Sequence, residues 1–444
     1  MTDVAGQHAQ IGIAAAKPLL RNTHPEAQWF PEARLGVFFH WGISSVFGIG
    51  DLSWSMIKQG VDFRHHQCER YGPAAVQAKM TPEKYWSQAE RFQPDRYDPR
   101  AWLRAAKKAG AAYAVLTTKH HDGYALWPSA HGDFSTRTHM GGRDLVGEYV
   151  EACRAEGLKV GLYYSPPDWW FNRAHMSFHY GKLKPDLGVR HEPVTLPVLS
   201  PGEEKERMGR FQAFIRGQVE ELLTRYGRID LLWFDGEGYD AIEMARLREL
   251  QPGIVINSRA HGTGDFMTPE CSFPKAKPAG WWEMCHIWND GAWGYLTHET
   301  YKPLGWMLSE FARCRSWGGN LLINVAPDAR GELPPTAYRR LAELERWMGH
   351  SGDALRGESS DEWPERSNVP TTRRGGTLYA HALFSFGEPI RIRGIGRPAS
   401  VRLLRTGEEI AFVHDGGELT IDLPLDLRTA EVDVVEIVAG PSGA

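Results

Sequence analysis

The strongest constraint on the fold is a repeated alternation. Short apolar runs rich in β-formers recur as LGVFFH (35–40), AYAVLTT (112–118), KVGLYYS (159–165), IDLLWFD (229–235), GIVIN (253–257) and NLLINV (320–325). Continuous apolar runs of this length suit parallel strands buried on both faces. Between them lie DPRAWLRAAKKAG, GRDLVGEYVEACRAEG and EEKERMGRFQAFIRGQVEELLTRYG, each apolar at helical spacing and closed by glycine. Repeated βα units over this length predict a (β/α)8-like barrel, although the sixth and seventh strands have no clear run of this kind. No G-x-G-x-x-G follows an early strand, which argues against a dinucleotide fold.

After TAYRRLAELERWMGH the pattern changes to GTLYAHALF, SVRLLR, EIAFVHD, ELTIDL and AEVDVVEIV, short runs between turn signals. This predicts a barrel over residues 1–352, with an N-terminal arm, and a C-terminal antiparallel β-sandwich over 353–444. The irregular, proline-bearing stretch Met176 to Pro201 is an insertion after the third strand, expected over the catalytic face.

In such a barrel the C-terminal strand ends converge on one mouth. Here they carry His40; Lys119, His120, His121 and Asp122; Tyr163 and Tyr164; Trp233 and Asp235; then Asn257 and Arg259, followed by Glu270 and Glu283. The chain also holds 17 Trp, 15 Tyr and 18 Phe. Aromatic faces pack on the C–H patches of sugars, so imidazoles, carboxylates and indoles around one cavity make a polyol site. The same rings could equally fill a large core, but they crowd beside the polar clusters.

Adjacent His120 and His121 point to opposite sides of a regular strand, so hydrogen bonds to hydroxyls suit them better than one shared metal. A strand-end histidine can also do no more than satisfy backbone groups. The second pair, His65 and His66, sits in the charged loop FRHHQCERYG and is expected to be solvated. Asp235 ends a buried apolar strand, where a carboxylate must be paired, cap a helix or perform chemistry. Retaining glycosidases need two carboxyls roughly 5 Å apart. Asp235 fits the nucleophile; Glu270 and Glu283 compete for the acid/base, and the residues alone do not separate them.

With 51 basic against 55 acidic residues and no long run of either sign, nothing marks a nucleic-acid or anionic-membrane partner. No apolar run of 18 residues occurs. The five cysteines lack zinc-type spacing and are odd in number, the N-terminus lacks a basic n-region, and a cytoplasmic location is expected.

The ordered set WFPEARLGVFFHWGISSV, AVLTTKHHDGYALWPS, GLYYSPPDWW, IDLLWFDG, VINSR, MTPE, WWEMCHIWNDGAWGY and GGNLLINVAPDARGELPP resembles the α-L-fucosidases of glycoside hydrolase family 29. The resemblance runs from about Trp29 to the C-terminus. It implies the same barrel and sandwich, exo-hydrolysis of terminal α-L-fucosides with retention, a fucosylated oligosaccharide or glycoconjugate as substrate, and no metal or organic cofactor. Position by position, His40, His120 and His121 match residues holding fucose hydroxyls, Tyr164 a pocket aromatic, Asp235 the nucleophile and Arg259 a sugar contact. Glu270 of MTPE matches the acid/base, which leaves Glu283, with Trp54, Trp233 and Trp293, lining the pocket. One departure stands out: where many members read Glu-Trp-Tyr, this chain reads Ser53, Trp54, Ser55. A carboxylate that touches the sugar is thus missing, which admits another glycone such as an α-L-galactoside. A silent sugar-binding protein would require loss of one carboxylate, and both candidates are present.

Overall fold

The computed structural model describes residues 17–50, 52–58, 80–181 and 184–440. His65, His66, Cys68 and the arm through Ala16 lie outside the described residues. Eight strands form one sheet: β1 Leu35–Phe39, β2 Tyr113–Lys119, β3 Lys159–Tyr164, β4 Leu231–Phe234, β5 Val255–Ile256, β6 Phe266–Met267, β7 Trp281–Ile287 and β8 Asn320–Val325. Neighbours pair in parallel, β8 returns to β1 through Leu35↔Leu321, and a single bridge Asn257↔Phe266 joins β5 to β6 and closes the ring.

The apolar runs are continuous because both faces are covered, and alternation divides them. Phe38, Tyr113, Val115, Tyr163, Leu231, Trp233 and Leu322 fill the inside of the barrel. Val37, Phe39, Leu116, Leu162, Tyr164, Leu232 and Phe234 face the helices. Those helices are α1 Pro99–Lys108, α2 Leu145–Ala155, α3 Pro201–Thr224, α4 Met244–Leu250, α5 Leu304–Ser316 and α6 Pro335–Leu355. Local chemistry starts them: Asp98 caps two amides of α1, and Ser200 with Glu203 forms a capping box on α3.

No helix separates β5 from β6 or β6 from β7. That is why the sixth and seventh strands are hard to see in the sequence: the βα rhythm lapses there. At the opposite end of the barrel from the mouth, Phe30 packs on Tyr113, Phe266 and Trp281. The insertion after β3 contains a small hairpin, Asp186–Leu187 with Pro193–Val194. It rests on the loops after β1, where His191 bonds the Met56 carbonyl at 2.8 Å and Glu83 N–H donates to Val189 O.

Beyond α6 every strand is antiparallel. A five-stranded and a three-stranded sheet share one core of Leu378, Ile390, Ile392, Val401, Leu403, Leu419, Ile421, Val435 and Ile437. This sandwich docks on the barrel's outer helices, where Trp347 Nε1 donates to Val432 O at 2.9 Å and Thr372 Oγ1 to Ala354 O at 2.7 Å. Among the described residues no helix is long and apolar enough to cross a membrane.

Candidate active site

The strand ends bring six polar side chains to one mouth. Asp235 follows β4, and Gly236 behind it sits at φ 90°, where a Cβ would lie 2.7 Å from Pro167. The Asp235 carboxylate accepts from Arg259 Nη1 on Oδ1 at 2.7 Å and from Tyr163 OH on Oδ2 at 2.7 Å. Burial opposes its charge, but Arg259, His120 and Tyr163 outweigh burial and hold Asp235 below the ordinary carboxylate range. An ionised, nearly buried carboxylate of this kind is able to serve as a nucleophile.

Arg259, three residues past β5, has a side chain only 1% exposed. Its second terminal nitrogen, Nη2, donates to Glu270 Oε2 at 2.9 Å, and its guanidinium lies 4.5 Å from the centre of the Trp233 ring. One planar cation thus grips both candidate catalytic carboxylates and rests on an indole. Glu270 is set by a parallel bridge to Cys285, which carries the chain from β6 back along β7.

Three imidazoles complete the mouth. His40 Nδ1 is 2.7 Å from Asn324 Oδ1, and burial pulls its pKa down to about 4. His120 stacks parallel to Tyr163 at 5.7 Å, its Nδ1 lies 2.5 Å from Ser53 Oγ, and burial holds its pKa well below the usual value. His121 Nδ1 meets Ser165 Oγ at 2.5 Å while Nε2 lies 3.8 Å from Asp235 Oδ2. His120, His121 and Asp235 bring their ligand atoms within 4.8 Å of one another. Trp293 flanks His40 at 4.8 Å, and Trp54 stands edge-on to His121 at 5.7 Å.

A family model described as Alpha-L-fucosidase matches residues 8–353. The chain belongs to this family. It is 29% identical over 394 residues to the tissue alpha-L-fucosidase of Bos taurus, covering 81% of this chain and 75% of that protein. Its structure is similar to alpha-L-fucosidase isoenzyme 1 from Paenibacillus thiaminolyticus, with a TM-score of 0.72, 32% identity, and 94% and 99% of the two chains covered. It is also similar to the Thermotoga maritima alpha-fucosidase solved in complex with fucose, with a TM-score of 0.69, 27% identity, and 94% and 97% covered. The protein is therefore a glycoside hydrolase with the family's fold.

Two residues expected in the pocket of this fucosidase-family enzyme are placed elsewhere. Glu283 is fully buried inside the barrel, level with Asn320 at the start of β8. It accepts from Trp233 Nε1 at 3.0 Å and from Tyr113 OH, so it braces Trp233 from below. Tyr164 faces outward, its hydroxyl donating to Gln218 on α3 at 2.9 Å and its ring 4.6 Å from Lys119 Nζ. The aromatic that touches Asp235 is its neighbour Tyr163. Val160, Leu162 and Tyr164 form one apolar face of β3, and that alternation was the signal for Tyr163.

Lys119 also leaves the cavity, forming a buried pair with Asp168 at 2.8 Å. Gly123, at φ 90°, makes room for it, since a Cβ there would sit 2.5 Å from Asp168 Oδ1. Asn324, Ser165, Ser53 and Asp122 orient the histidines; the sequence singled out Asp122 and Ser165 at strand ends and Ser53 as a departure, but nothing in it marked Asn324.

Proposed function

We propose that the enzyme is a retaining exo-α-L-fucosidase. Asp235 attacks the anomeric carbon while Glu270 protonates the departing oxygen, giving a glycosyl-aspartate; water activated by Glu270 then releases the sugar. The observation that carries the reading is Arg259 joined to both carboxylates. The shared guanidinium brings both carboxylates to one cation at the mouth, as a nucleophile and an acid acting on one glycosidic bond require. His40, His120, His121 and Arg259 hold ring hydroxyls.

Beneath the histidines Tyr163 stacks on Trp233, which Phe38 meets edge-on, with Tyr163 OH bound to Asp235 and Trp233 Nε1 to Glu283. We take the substrate to be a terminal fucoside of an oligosaccharide or glycoconjugate, and we place the enzyme in the cytoplasm, consistent with buried thiols at Cys153, Cys285 and Cys314 that form no disulfide.

Proton NMR of the first-formed sugar tests the mechanism: the α-anomer is expected, and the β-anomer appearing first would refute it. Asp235→Ala should lose nearly all turnover and regain some with azide. Glu270→Gln should cripple natural fucosides yet spare the first step on an activated aryl fucoside, whose phenolate leaves unaided.

A further inference from the structure

Ser53 is fully buried in the turn Leu52–Met56, and three polar atoms of Asp122 and His120 approach its Oγ, with Tyr85 OH beside them. The Asp122 backbone N–H donates to it at 2.9 Å, His120 Nδ1 lies at 2.5 Å, and Asp122 Oδ2 lies at 3.3 Å. A hydroxyl gives one hydrogen and accepts two; an amide N–H only donates, and a carboxylate oxygen only accepts. One assignment satisfies all three. Ser53 accepts from the amide, gives its hydrogen to Asp122 Oδ2, and accepts its second bond from His120 Nδ1. The reverse sense would set the Ser53 lone pair against a carboxylate.

Asp122 is itself rigid. Its Oδ1 accepts from Tyr124 N–H at 2.8 Å, its Oδ2 from Tyr85 OH at 2.8 Å, and its carbonyl from Trp86 Nε1 at 3.0 Å. We propose that Ser53 and Asp122 are positioning residues that lock His120 in the Nδ1–H tautomer and so present its Nε2 to the sugar as a hydrogen-bond acceptor. His40 is set in the same sense. Asn324 Nδ2 donates to Trp293 O at 2.7 Å, which turns its Oδ1 toward His40 Nδ1. The pocket therefore meets hydroxyl donors with two imidazole acceptors, and Ser53 acts through His120 instead of on the sugar. Only the identity of the sugar rests on the fucosidase reading; the tautomer is read without substrate.

Nitrogen-15 NMR of histidine-labelled enzyme tests this, with the His120 signals identified by their loss in His120→Gln. Wild type should show a pyrrole-type Nδ1 and a pyridine-type Nε2. In Asp122→Asn the amide oxygen stays on Tyr124 N–H, so the NH2 faces Ser53. The Ser53 hydrogen, having lost the carboxylate, should turn to the ring, and the tautomer should reverse to Nε2–H. Ser53→Thr, which keeps the hydroxyl, should retain the wild-type pattern, and Ser53→Ala should mix the two. On an aryl α-L-fucoside, Ser53→Ala and Asp122→Asn should lower kcat/KM by roughly tenfold or more, chiefly through KM. An Nε2–H tautomer in the wild type, or an Asp122→Asn spectrum that does not reverse, would overturn the proposal even if the variants' kinetics were impaired. Wild type that shows the expected tautomer yet leaves fucosides intact would sink the fucosidase reading alone.

Discussion

Replacing Glu283 with glutamine should make the enzyme more stable above neutral pH while lowering activity only moderately. Glu283 is buried and held by Trp233 Nε1 and Tyr113 OH, and among the described residues it forms no ion pair. Burial raises its pKa to about 7 from the ordinary 4.5. Because the folded value is the higher one, the folded state binds the extra proton. Stability is therefore greatest below the unfolded pKa and falls as pH rises through the interval from 4.5 to about 7. The difference, 7 − 4.5 = 2.5 units, corresponds to about 3 kcal/mol at full ionisation. Glutamine keeps the shape, accepts from the indole, donates to the Tyr113 oxygen, and removes the charge. Denaturant unfolding of the barrel should therefore show Glu283→Gln ahead of wild type by up to about 3 kcal/mol at pH 8, the gap closing toward pH 4.5. On substrates, the variant should lose similar factors with good and poor leaving groups and show no azide rescue. Equal or lower stability at pH 8 refutes the electrostatic account, and a leaving-group signature would mean that Glu283 is the acid/base after all.

Three further outcomes follow from the site. Arg259→Lys cannot hold two carboxylates with one ammonium, so kcat/KM should fall about a hundredfold; Asp235, now held below its ordinary pKa, should titrate higher and move the acid limb of the pH–rate profile upward, and an unmoved limb would contradict its role. Tyr163→Phe should lower kcat about tenfold by removing a bond to the nucleophile, whereas Tyr164→Phe should leave kcat intact and cost about 1 kcal/mol in unfolding, and a reversed pattern would mean the facing of β3 is wrong. Activity should survive prolonged EDTA treatment despite the close approach of His120, His121 and Asp235; loss of activity restored by added zinc would make that cluster a metal centre.

The sequence makes the barrel legible wherever a strand is followed by a helix, because two periodicities then alternate. It goes silent at β6, only two residues long and followed by no helix, where pairing with β7 rather than any local preference makes the strand. The mouth was legible for a related reason: His40, His120, His121, Asp235 and Arg259 all stand at or just past strand ends, and polar groups closing buried apolar runs need a partner or a task. What distance along the chain cannot give is facing. Tyr163 and Tyr164 are identical in chemistry and adjacent, so only the pleat of β3 decides which reaches Asp235. Glu283 and Glu270 pose the same problem between strands. Glu283 lies within β7, low in the barrel and turned inward, where its carboxylate can only brace an indole. Glu270 lies past the end of β6, where a bridge to Cys285 holds its backbone level with the upper part of β7 and its carboxylate meets Arg259. The useful distinction was therefore position along the barrel axis: a carboxylate inside a strand supports, and one beyond its C-terminal end can reach the substrate.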